Sequence, residues 1–189
     1  NPSHRDIFIR RAKIISAIRL FLDEREFIEV ETPILQPLYG GANARPFVTH
    51  HNALNIDLYL RIATELYLKR LIVGGFEKVY ELGKDFRNEG MDRTHNPEFT
   101  MLELYEAYSD LEGMMELTES LLQCLAMDVL HQSIYRFKGY DIDLSKPFQR
   151  VSMQELLQEY LNLELSEDDY EQALAFCKQY DIEIPPGSK

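Results

Sequence analysis

The densest group of chemically active side chains lies in residues 85–105, which read DFRNEGMDRTHNPEFTMLELY. An arginine fork binds a phosphate or a carboxylate through paired hydrogen bonds, and a carboxylate shielded from water can hold an ammonium group. The segment therefore predicts a ligand with both an anionic and a cationic part. The side chains that could contact such a ligand are Arg87, Glu89, Arg93, His95, Glu98, Phe99, Glu103 and Tyr105.

Two strands and the loop between them are expected to carry these side chains. Residues 77–89 have the pattern of two strands, residues 90–97 have the composition of a loop, and residues 98–108 alternate over a long strand. Successive side chains of a strand point to opposite faces, so residues two apart share a face. Arg87 is therefore expected on the same face as Glu89.

The returning strand presents Phe99, Glu103 and Tyr105 on one face by the same alternation. One interpretation is a ligand cleft on that face. The other is a purely structural hairpin, in which Arg87 forms an ion pair with Glu98 or Glu103 and the aromatic side chains join the core. The charged loop and the excess of charge on one sheet face favour the cleft.

Other elements follow from periodicity and from the positions of glycine and proline. Thr64 is a plausible N-cap of a short helix that ends at Gly74-Gly75, and residues 38–46 (LYGGANARP) are expected to be irregular. Further helices are predicted over residues 7–26, 109–132, 152–162 and 166–180. Further strands are predicted over residues 27–32, 46–50, 56–62 and 134–137, and the last residues (EIPPGSK) are expected to be extended.

Composition excludes several classes of protein. The chain has 189 residues, 45% of them apolar, with only 9 Gly and 8 Pro, which is typical of a packed globular protein. No apolar run reaches the roughly 18 residues that a membrane helix needs, so we expect a soluble, cytoplasmic protein. The two cysteines lack the spacing of a metal site and are expected to be reduced thiols.

Charge is distributed unevenly along the chain. The net charge is −12, and residues 101–189 hold 18 Asp and Glu against 6 Lys and Arg. An acidic surface repels phosphate backbones. If this chain contacts a nucleic acid, the main electrostatic attraction is expected from another part of the protein.

Long matches identify the sequence as similar to the class II aminoacyl-tRNA synthetases, and within them to the lysyl-tRNA synthetases. The run FIEVETP ending at Pro33 resembles the first motif of the class, which forms dimers. The runs FRNE (86–89) and HNPEFT (95–100) resemble the second motif, an ATP-binding hairpin. The runs that narrow the resemblance to lysine are YGGANARPF (39–47), RIATELYLKR (61–70) and LELYE (102–106).

The resemblance implies a role in ATP binding for each residue of the second motif. Arg87 would be the catalytic residue, holding the ATP α-phosphate and the carboxylate of the amino acid. Glu89 and the backbone near Asn96 would hold the adenine edge, and Phe99 would stack on the adenine face. His95 and Arg93 would steady the outer phosphates; a plain turn role for His95 and a core role for Phe99 are the structural alternatives.

The resemblance also implies a lysine site. Glu65 and the Gly41-Ala42 backbone would receive the α-amino group, Arg87 the carboxylate, and Glu103 and Tyr105 the ε-ammonium. Glu65 could instead cap its helix at the third position, and Tyr105 could be a core aromatic.

An α+β fold follows, with a mostly antiparallel sheet flanked by helices and an incomplete class II catalytic core. Residues 1–150 would carry the first and second motifs, and residues 151–189 would form a helical part of the insertion before the third motif.

The Gly-rich third motif, the Mg²⁺ ligands and the N-terminal anticodon-binding domain of the family are not found in the sequence. The chain is therefore expected to be a fragment that is inactive alone. The complete protein is expected to be a homodimer that binds ATP, Mg²⁺, L-lysine and tRNA(Lys). No metal ligand is expected in this chain, and no membrane partner.

Two other functions remain open at this stage. One is the synthetase-like ligase that attaches lysine to a translation elongation factor. The GGANARPF and LELYE runs argue against that relative, which differs at both places. The other is a non-catalytic module derived from a synthetase, but such a module would have no reason to keep Arg87, Glu89, His95, Phe99 and Glu103 together.

Overall fold

The structure, a computed structural model, describes residues 2–163 and 170–184. The chain divides into two compact units, residues 1–146 and residues 147–189. The described elements are, in chain order, α1 (Pro2–Asp23), β1 (Ile28–Glu29), β2 (Leu35–Gln36), β3 (Val48–His51), β4 (Ile56–Leu60), α2 (Glu65–Val73), β5 (Lys78–Phe86), β6 (Glu98–Glu106), α3 (Leu111–Cys124), a π-helical turn (Leu125–Val129), β7 (Ile134–Phe137), β8 (Tyr140–Asp143), α4 (Met153–Leu161) and α5 (Tyr170–Gln179).

The described strands form three small sheets, with strand orders β1-β5-β6, β2-β4-β3 and β7-β8. Every pair is antiparallel except β1 with β5. The prediction of a mixed α+β fold with mostly antiparallel sheets is confirmed.

The long hairpin β5–β6 packs one of its faces on the core. That face carries Tyr80, which is completely buried, and its cross-strand partner Leu104. Tyr80 clusters with Phe21 and Leu22 near the end of α1 and with Phe27 just after it, and half-buried residues of α3 pack on the cluster. The apolar alternation of the hairpin therefore turns its other face, which is rich in charge, toward α2.

Backbone hydrogen bonds join the second sheet to the end of β5. Beyond Leu60 the chain runs through a buried segment, residues 61–64, into α2, which contacts both β5 and β6. The Arg61 N–H donates to the Ile34 carbonyl (2.9 Å), and the Arg61 carbonyl accepts from the Phe86 N–H (2.9 Å). These bonds place the N-terminus of α2 beside the point where β5 ends.

Several predicted boundaries were wrong for identifiable reasons. Helix α1 begins at Pro2, a favoured residue in the first helical turn, and it ends at Asp23, before Glu26 takes a left-handed backbone (φ 66°). Of the strand predicted over residues 27–32, only Ile28–Glu29 pairs with β5. Thr32 donates its N–H to the Glu81 side chain (3.1 Å) rather than to a strand.

The hairpin and α3 also differ from prediction. Residues 77–89 form one strand, Lys78–Phe86, rather than two. The helix predicted over residues 109–132 is α-helical only to Cys124 and continues as the π-helical turn. The strand β8 was not predicted. Cys124 and Cys177 are both free, as expected.

The second unit contains α4 and α5. Helix α4 begins with a capping box, in which Ser152 Oγ accepts from the Glu155 N–H (3.1 Å) and the Glu155 carboxylate accepts from the Ser152 N–H (2.7 Å). Helix α5 covers the later part of the helix predicted over residues 166–180; residues 166–169 and the predicted extended tail from residue 185 lie outside the described residues. In the part of the chain that is described, no helix has the length and apolar character needed to cross a membrane.

Candidate functional site

The polar face of the β5–β6 hairpin carries Glu103 and Tyr105, two of the residues predicted to bind lysine. Directly opposite residues of an antiparallel pair point to the same side of the sheet. The register pairs Asp85 with Phe99 and Glu81 with Glu103. Phe99, Glu103 and, two residues on, Tyr105 therefore share one face, together with two carboxylates of β5 that the sequence analysis did not assign to the site.

Arg87 lies just beyond β5, where the hairpin opens into its loop. Its N–H donates to the Pro97 carbonyl (2.8 Å), which keeps the two chain segments together at this point. Its Nε donates to the Ile62 carbonyl (3.4 Å), and its guanidinium carbon lies 5.2 Å from the centroid of the Phe99 ring. The backbone and one aromatic ring thus hold the guanidinium on the polar face.

The ion pair expected of a purely structural hairpin is not formed. Within the described residues no ion pair joins Arg87 to Glu98 or Glu103, and Glu98 instead pairs with Lys84 (3.1 Å). The terminal nitrogens of Arg87 are therefore not committed to a carboxylate of the hairpin. They can form a fork with a phosphate or a carboxylate of a ligand.

A cavity of about 210 Å³ lies at the open end of the hairpin. Its walls include most of the residues predicted to bind ATP: Arg87, Glu89, His95, Asn96 and Phe99, with Gly90 and Thr94. Arg93 is exposed and is not one of the lining residues. A guanidinium, an imidazole, a carboxylate and an aromatic ring around one hollow suit a ligand with an anionic group and a flat ring.

The loop that lines this cavity is organised by Asp92, which the sequence analysis did not assign. One carboxylate oxygen accepts from the backbone N–H groups of Thr94 (2.6 Å) and His95 (2.8 Å). The other lies 2.8 Å from Nδ1 of His95. These bonds hold the pKa of Asp92 well below its usual range, the Thr94 backbone bond having the largest effect. His95 is thus a turn residue and a cavity-lining residue at once.

In a complete enzyme that carries this chain, replacing Asp92 with alanine is expected to weaken binding at the predicted ATP site moderately. The loop would lose the acceptor that orients His95, and because the pair is exposed the Michaelis constant (KM) for ATP should rise only about three- to fivefold. Asp57→Ala is the matched control, since Asp57 forms an equally short and exposed pair with His50 (2.8 Å) that does not line the cavity. Steady-state kinetics would check this; similar effects of both variants on the KM for ATP would contradict it.

Gly41 and Glu65 lie together at the N-terminus of α2. Gly41 has a left-handed backbone (φ 87°), and a Cβ atom there would lie 2.9 Å from the Glu65 Cβ and 3.1 Å from the Ala63 Cβ. Glycine is therefore required by both conformation and space. The structure brings together these two residues predicted to receive an α-amino group, with the half-buried Ala42 next in sequence.

Glu65 does not have the capping position considered as its alternative role. It is the first residue of α2 rather than the third, and its carboxylate pairs with Lys69 (2.6 Å). Thr64 occupies the N-cap position, but its hydroxyl makes no capping bond and is buried without a hydrogen-bond partner among the described residues. Glu65 is thus available to another ammonium group in exchange for Lys69.

Electrostatic effects link Tyr105 to both predicted lysine-binding carboxylates. Burial, followed by the charges of Glu103 and Glu65, raises the pKa of the Tyr105 phenol to about 12. The Lys69 ammonium lies 5.9 Å from the Tyr105 ring centroid. Two carboxylates and a phenol therefore border one region between α2 and β6, which favours a cation there.

Asp85 is the buried carboxylate that sequence reasoning missed. It is completely buried, lies 3.1 Å from Nε of Arg61, and neither oxygen accepts a hydrogen bond from a described residue. Burial is the main reason that its pKa is raised to about 6. Arg61 has the next largest effect and lowers the pKa, the charges of Glu103 and Glu81 raise it, and Arg87 lowers it slightly. The Arg87 guanidinium lies over the Phe99 ring, and Phe99 shares a face of β6 with Glu103, so Arg87 and Glu103 lie on the same side of the sheet.

One signal in the sequence could have identified these buried charges. Arg61, Glu81 and Asp85 occur in strand-like runs otherwise rich in apolar residues, where a charge is unusual unless it is paired.

In the described residues no group of three or more His, Cys, Asp or Glu side chains is placed to hold a metal ion.

Comparisons of this sequence with a protein-family model and with curated proteins indicate the same enzyme family. Residues 1–186 match the family of tRNA synthetases class II (D, K and N). The lysine–tRNA ligase of Thermoanaerobacter pseudethanolicus is 55% identical over 190 aligned residues, covering 100% of this chain and 38% of that protein. That of Clostridium botulinum strain Loch Maree is 56% identical over 186 residues (97% and 37%). That of Roseiflexus sp. strain RS-1 is 64% identical over 153 residues (81% and 31%).

The chain thus spans little more than a third of the length of these curated relatives. The match covers both the hairpin that carries Arg87 and the segment that carries Gly41 and Glu65. This chain belongs to the class II tRNA synthetases of the D, K and N group and is a homologue of lysine–tRNA ligases.

Proposed function

We propose that this chain forms the ATP- and lysine-binding part of a lysine–tRNA ligase, which activates L-lysine as lysyl-adenylate and transfers it to tRNA(Lys). The observation that carries the proposal is the placement of Arg87. Its guanidinium lines the cavity at the hairpin loop and lies over Phe99, which shares a sheet face with Glu103. A phosphate and a cationic amino acid can therefore approach one another across a single surface.

Activation requires the lysine carboxylate to attack the α-phosphorus of ATP. A bond forms between a carboxylate oxygen and that phosphorus, the bond to the β-phosphate oxygen breaks, and pyrophosphate leaves with its electron pair. No protein nucleophile takes part. Arg87 would bridge the carboxylate and the α-phosphate, offsetting the repulsion between two anions and the charge that develops as they react.

The remaining cavity residues would bind the nucleotide. Phe99 would stack on the adenine, with Glu89 and the Asn96 backbone at its edge. His95 would contact the outer phosphates. Arg93 is an exposed residue of the loop, so it would contact the outer phosphates only after the loop turns toward bound ATP.

Selectivity for lysine would come from carboxylates placed at both ends of the substrate. Glu65, beside Gly41, would hold the α-ammonium, while Glu103 and Tyr105 would hold the ε-ammonium. An amino acid with a neutral side chain would leave Glu103 shielded from water without a counter-ion, which is costly. A planar guanidinium would not fit a site shaped for a compact ammonium.

Other parts of the proposed protein lie beyond the described residues. We expect Mg²⁺ to accompany ATP, with its ligands in the part of the relatives' length that this chain does not span. We also expect a cytoplasmic homodimer. The exposed apolar side chains of α1, among them Ile7 (64% exposed) and Phe8 (71%), support a partner on that helix.

The direct test is a chimeric ligase, in which these 189 residues replace the matching residues of the T. pseudethanolicus lysine–tRNA ligase. We expect lysine-dependent exchange of pyrophosphate into ATP at a rate within about tenfold of the parent enzyme. The isolated chain, which has no ligand set for Mg²⁺ among its described residues, should show none. A folded chimera that fails to support the exchange, or that supports it equally with arginine, would refute the proposal.

A further inference from the structure

The side chain of Arg61 lies buried across strand β5. It follows β4, and only 2% of its side chain is exposed. A Cβ atom on Gly83 would clash with Nη2 of Arg61, because the guanidinium occupies the space that any other residue at position 83 would fill. Strand β5 thus has a glycine at the point where Arg61 crosses it.

Five groups from two chain segments hold this guanidinium. Its Nη1 donates to Glu81 Oε1 and to both the carbonyl and the hydroxyl of Thr32 (3.2 Å each). Its Nε donates to the Lys84 carbonyl (2.9 Å) and lies 3.1 Å from a carboxylate oxygen of Asp85. Thr32 completes the network, because its hydroxyl donates to Glu81 Oε2 (2.6 Å). A planar group with donors in several directions is needed to meet all of these acceptors.

The backbone at Arg61 connects this network to Arg87. The Arg61 carbonyl accepts from the Phe86 N–H, and the next carbonyl, that of Ile62, accepts from Nε of Arg87. The Ile62 carbonyl is the only described acceptor of the Arg87 guanidinium. The position of that carbonyl, together with the Phe99 ring, therefore sets where the terminal nitrogens of Arg87 point.

We propose that Arg61 is a positioning residue for Arg87. Its buried guanidinium, held by Glu81 and Thr32, fixes the backbone carbonyl of Ile62 that orients the Arg87 fork toward a ligand. The inference rests on the proposed function for the chemistry that Arg87 performs, but the positioning itself is a property of this chain. Because the Arg87 guanidinium is already oriented by its hydrogen bond, it loses less conformational entropy when a phosphate binds. This lowers the free-energy barrier of the reaction.

The first experiment measures the positioning without any activity. In the 189-residue chain labelled with ¹⁵N-arginine, the Nε–H of Arg87 should exchange with solvent at least about tenfold faster in Arg61→Lys than in the parent chain, because loss of one hydrogen bond costs roughly that factor. Lysine keeps the charge but cannot reach all the acceptors. Arg19→Lys is the matched control, since Arg19 forms an exposed pair with Glu29 (2.9 Å). Unchanged Arg87 exchange in Arg61→Lys would overturn the proposal.

The second experiment is a double-mutant cycle in the chimeric ligase. Arg61→Lys should lower the turnover number (kcat) about 30-fold with less than about threefold change in the KM for ATP, because the interaction lost is one made mainly in the transition state. In an Arg87→Lys background the same change should cost less than about threefold. Equal losses in both backgrounds would show that Arg61 acts independently of Arg87, and would overturn the proposal.

A milder variant guards against a folding defect. Thr32→Val removes the hydroxyl that supports Glu81 while leaving Arg61 and every buried charge in place, so a smaller loss of kcat, about threefold to fivefold, is expected with the same dependence on Arg87. Active-site titration distinguishes a lower kcat per site from a smaller fraction of correctly folded enzyme. A lower fraction of active enzyme with unchanged kcat per site would mean a structural role only. An inactive unsubstituted chimera would refute the proposed function, and the exchange measurement would still decide the role of Arg61.

Discussion

Replacing Glu103 with glutamine in the chimeric ligase is expected to raise the KM for lysine about 100-fold while changing the KM for ATP less than about threefold. The amide keeps the size of the side chain and one acceptor oxygen, but it removes the charge that an ε-ammonium would require. Breaking a buried ion pair costs about 3 to 5 kcal/mol, and the lower limit applies here because Glu103 is only half-buried. Steady-state pyrophosphate exchange with each substrate varied in turn measures both constants.

Glu106→Gln provides the control on the same strand. Glu106 points to the opposite face, where it forms an ion pair with Lys78 (3.2 Å), so its loss should leave both constants nearly unchanged. If Glu103→Gln raised the constants for lysine and ATP equally, Glu103 would be a structural residue. If Glu106→Gln matched it, the effect would come from the charge of the hairpin as a whole.

Replacing Asp85 with asparagine is expected to stabilise the chain by about 2 to 3 kcal/mol at a pH of about 8. The pKa of Asp85 is raised to about 6 in the folded chain from the usual value near 3.8. The folded chain holds this proton more tightly than the unfolded chain, so the folded state is most favoured below a pH of about 4, where the carboxyl is protonated in both states. Its presence therefore lowers stability as pH rises from about 4 to about 6, and the cost is complete above that range.

Urea unfolding of the 189-residue chain and the variant, over a pH series from about 4 to 8, measures this difference. The two should be nearly equal at a pH of about 4 and should diverge by a pH of about 6. Asp141→Asn is the control, because Asp141 is exposed and its pair with Arg136 (3.5 Å) contributes little, so its effect should stay within about 0.5 kcal/mol. A less stable Asp85→Asn chain at a pH of about 8 would show that the ion pair with Arg61 outweighs the cost of burial.

The hairpin was predictable because its information is local. Alternation over residues 98–108 and the loop composition of residues 90–97 specify two strands and a turn between them, and a one-residue slip would reverse both faces. The same alternation placed Phe99, Glu103 and Tyr105 together, which the register confirms. The association of Gly41 with Glu65 rested on the resemblance alone, because the two lie on separate elements.

Three residues show where reasoning from local pattern failed. Thr32 has the pattern of a strand residue, yet its N–H is taken by Glu81, far along the chain. Asp92 has the composition of an ordinary loop residue, and only the folded loop shows that it organises His95. Arg61 has the spacing of a residue on an alternating strand, but it lies buried between carboxylates of β5.

Periodicity and composition were sufficient for the α+β class, the hairpin and most of the candidate ligand-binding residues, because these depend on neighbours within a few positions. The buried charge network around Arg61, the raised pKa of Asp85 and the freedom of Arg87 from Glu98 and Glu103 required the folded chain. The physical reason is that desolvation and ion pairing depend on distance in space. Residues 32, 61, 81 and 85 meet only when the second sheet docks beside the end of β5, and no local pattern of residues encodes that contact.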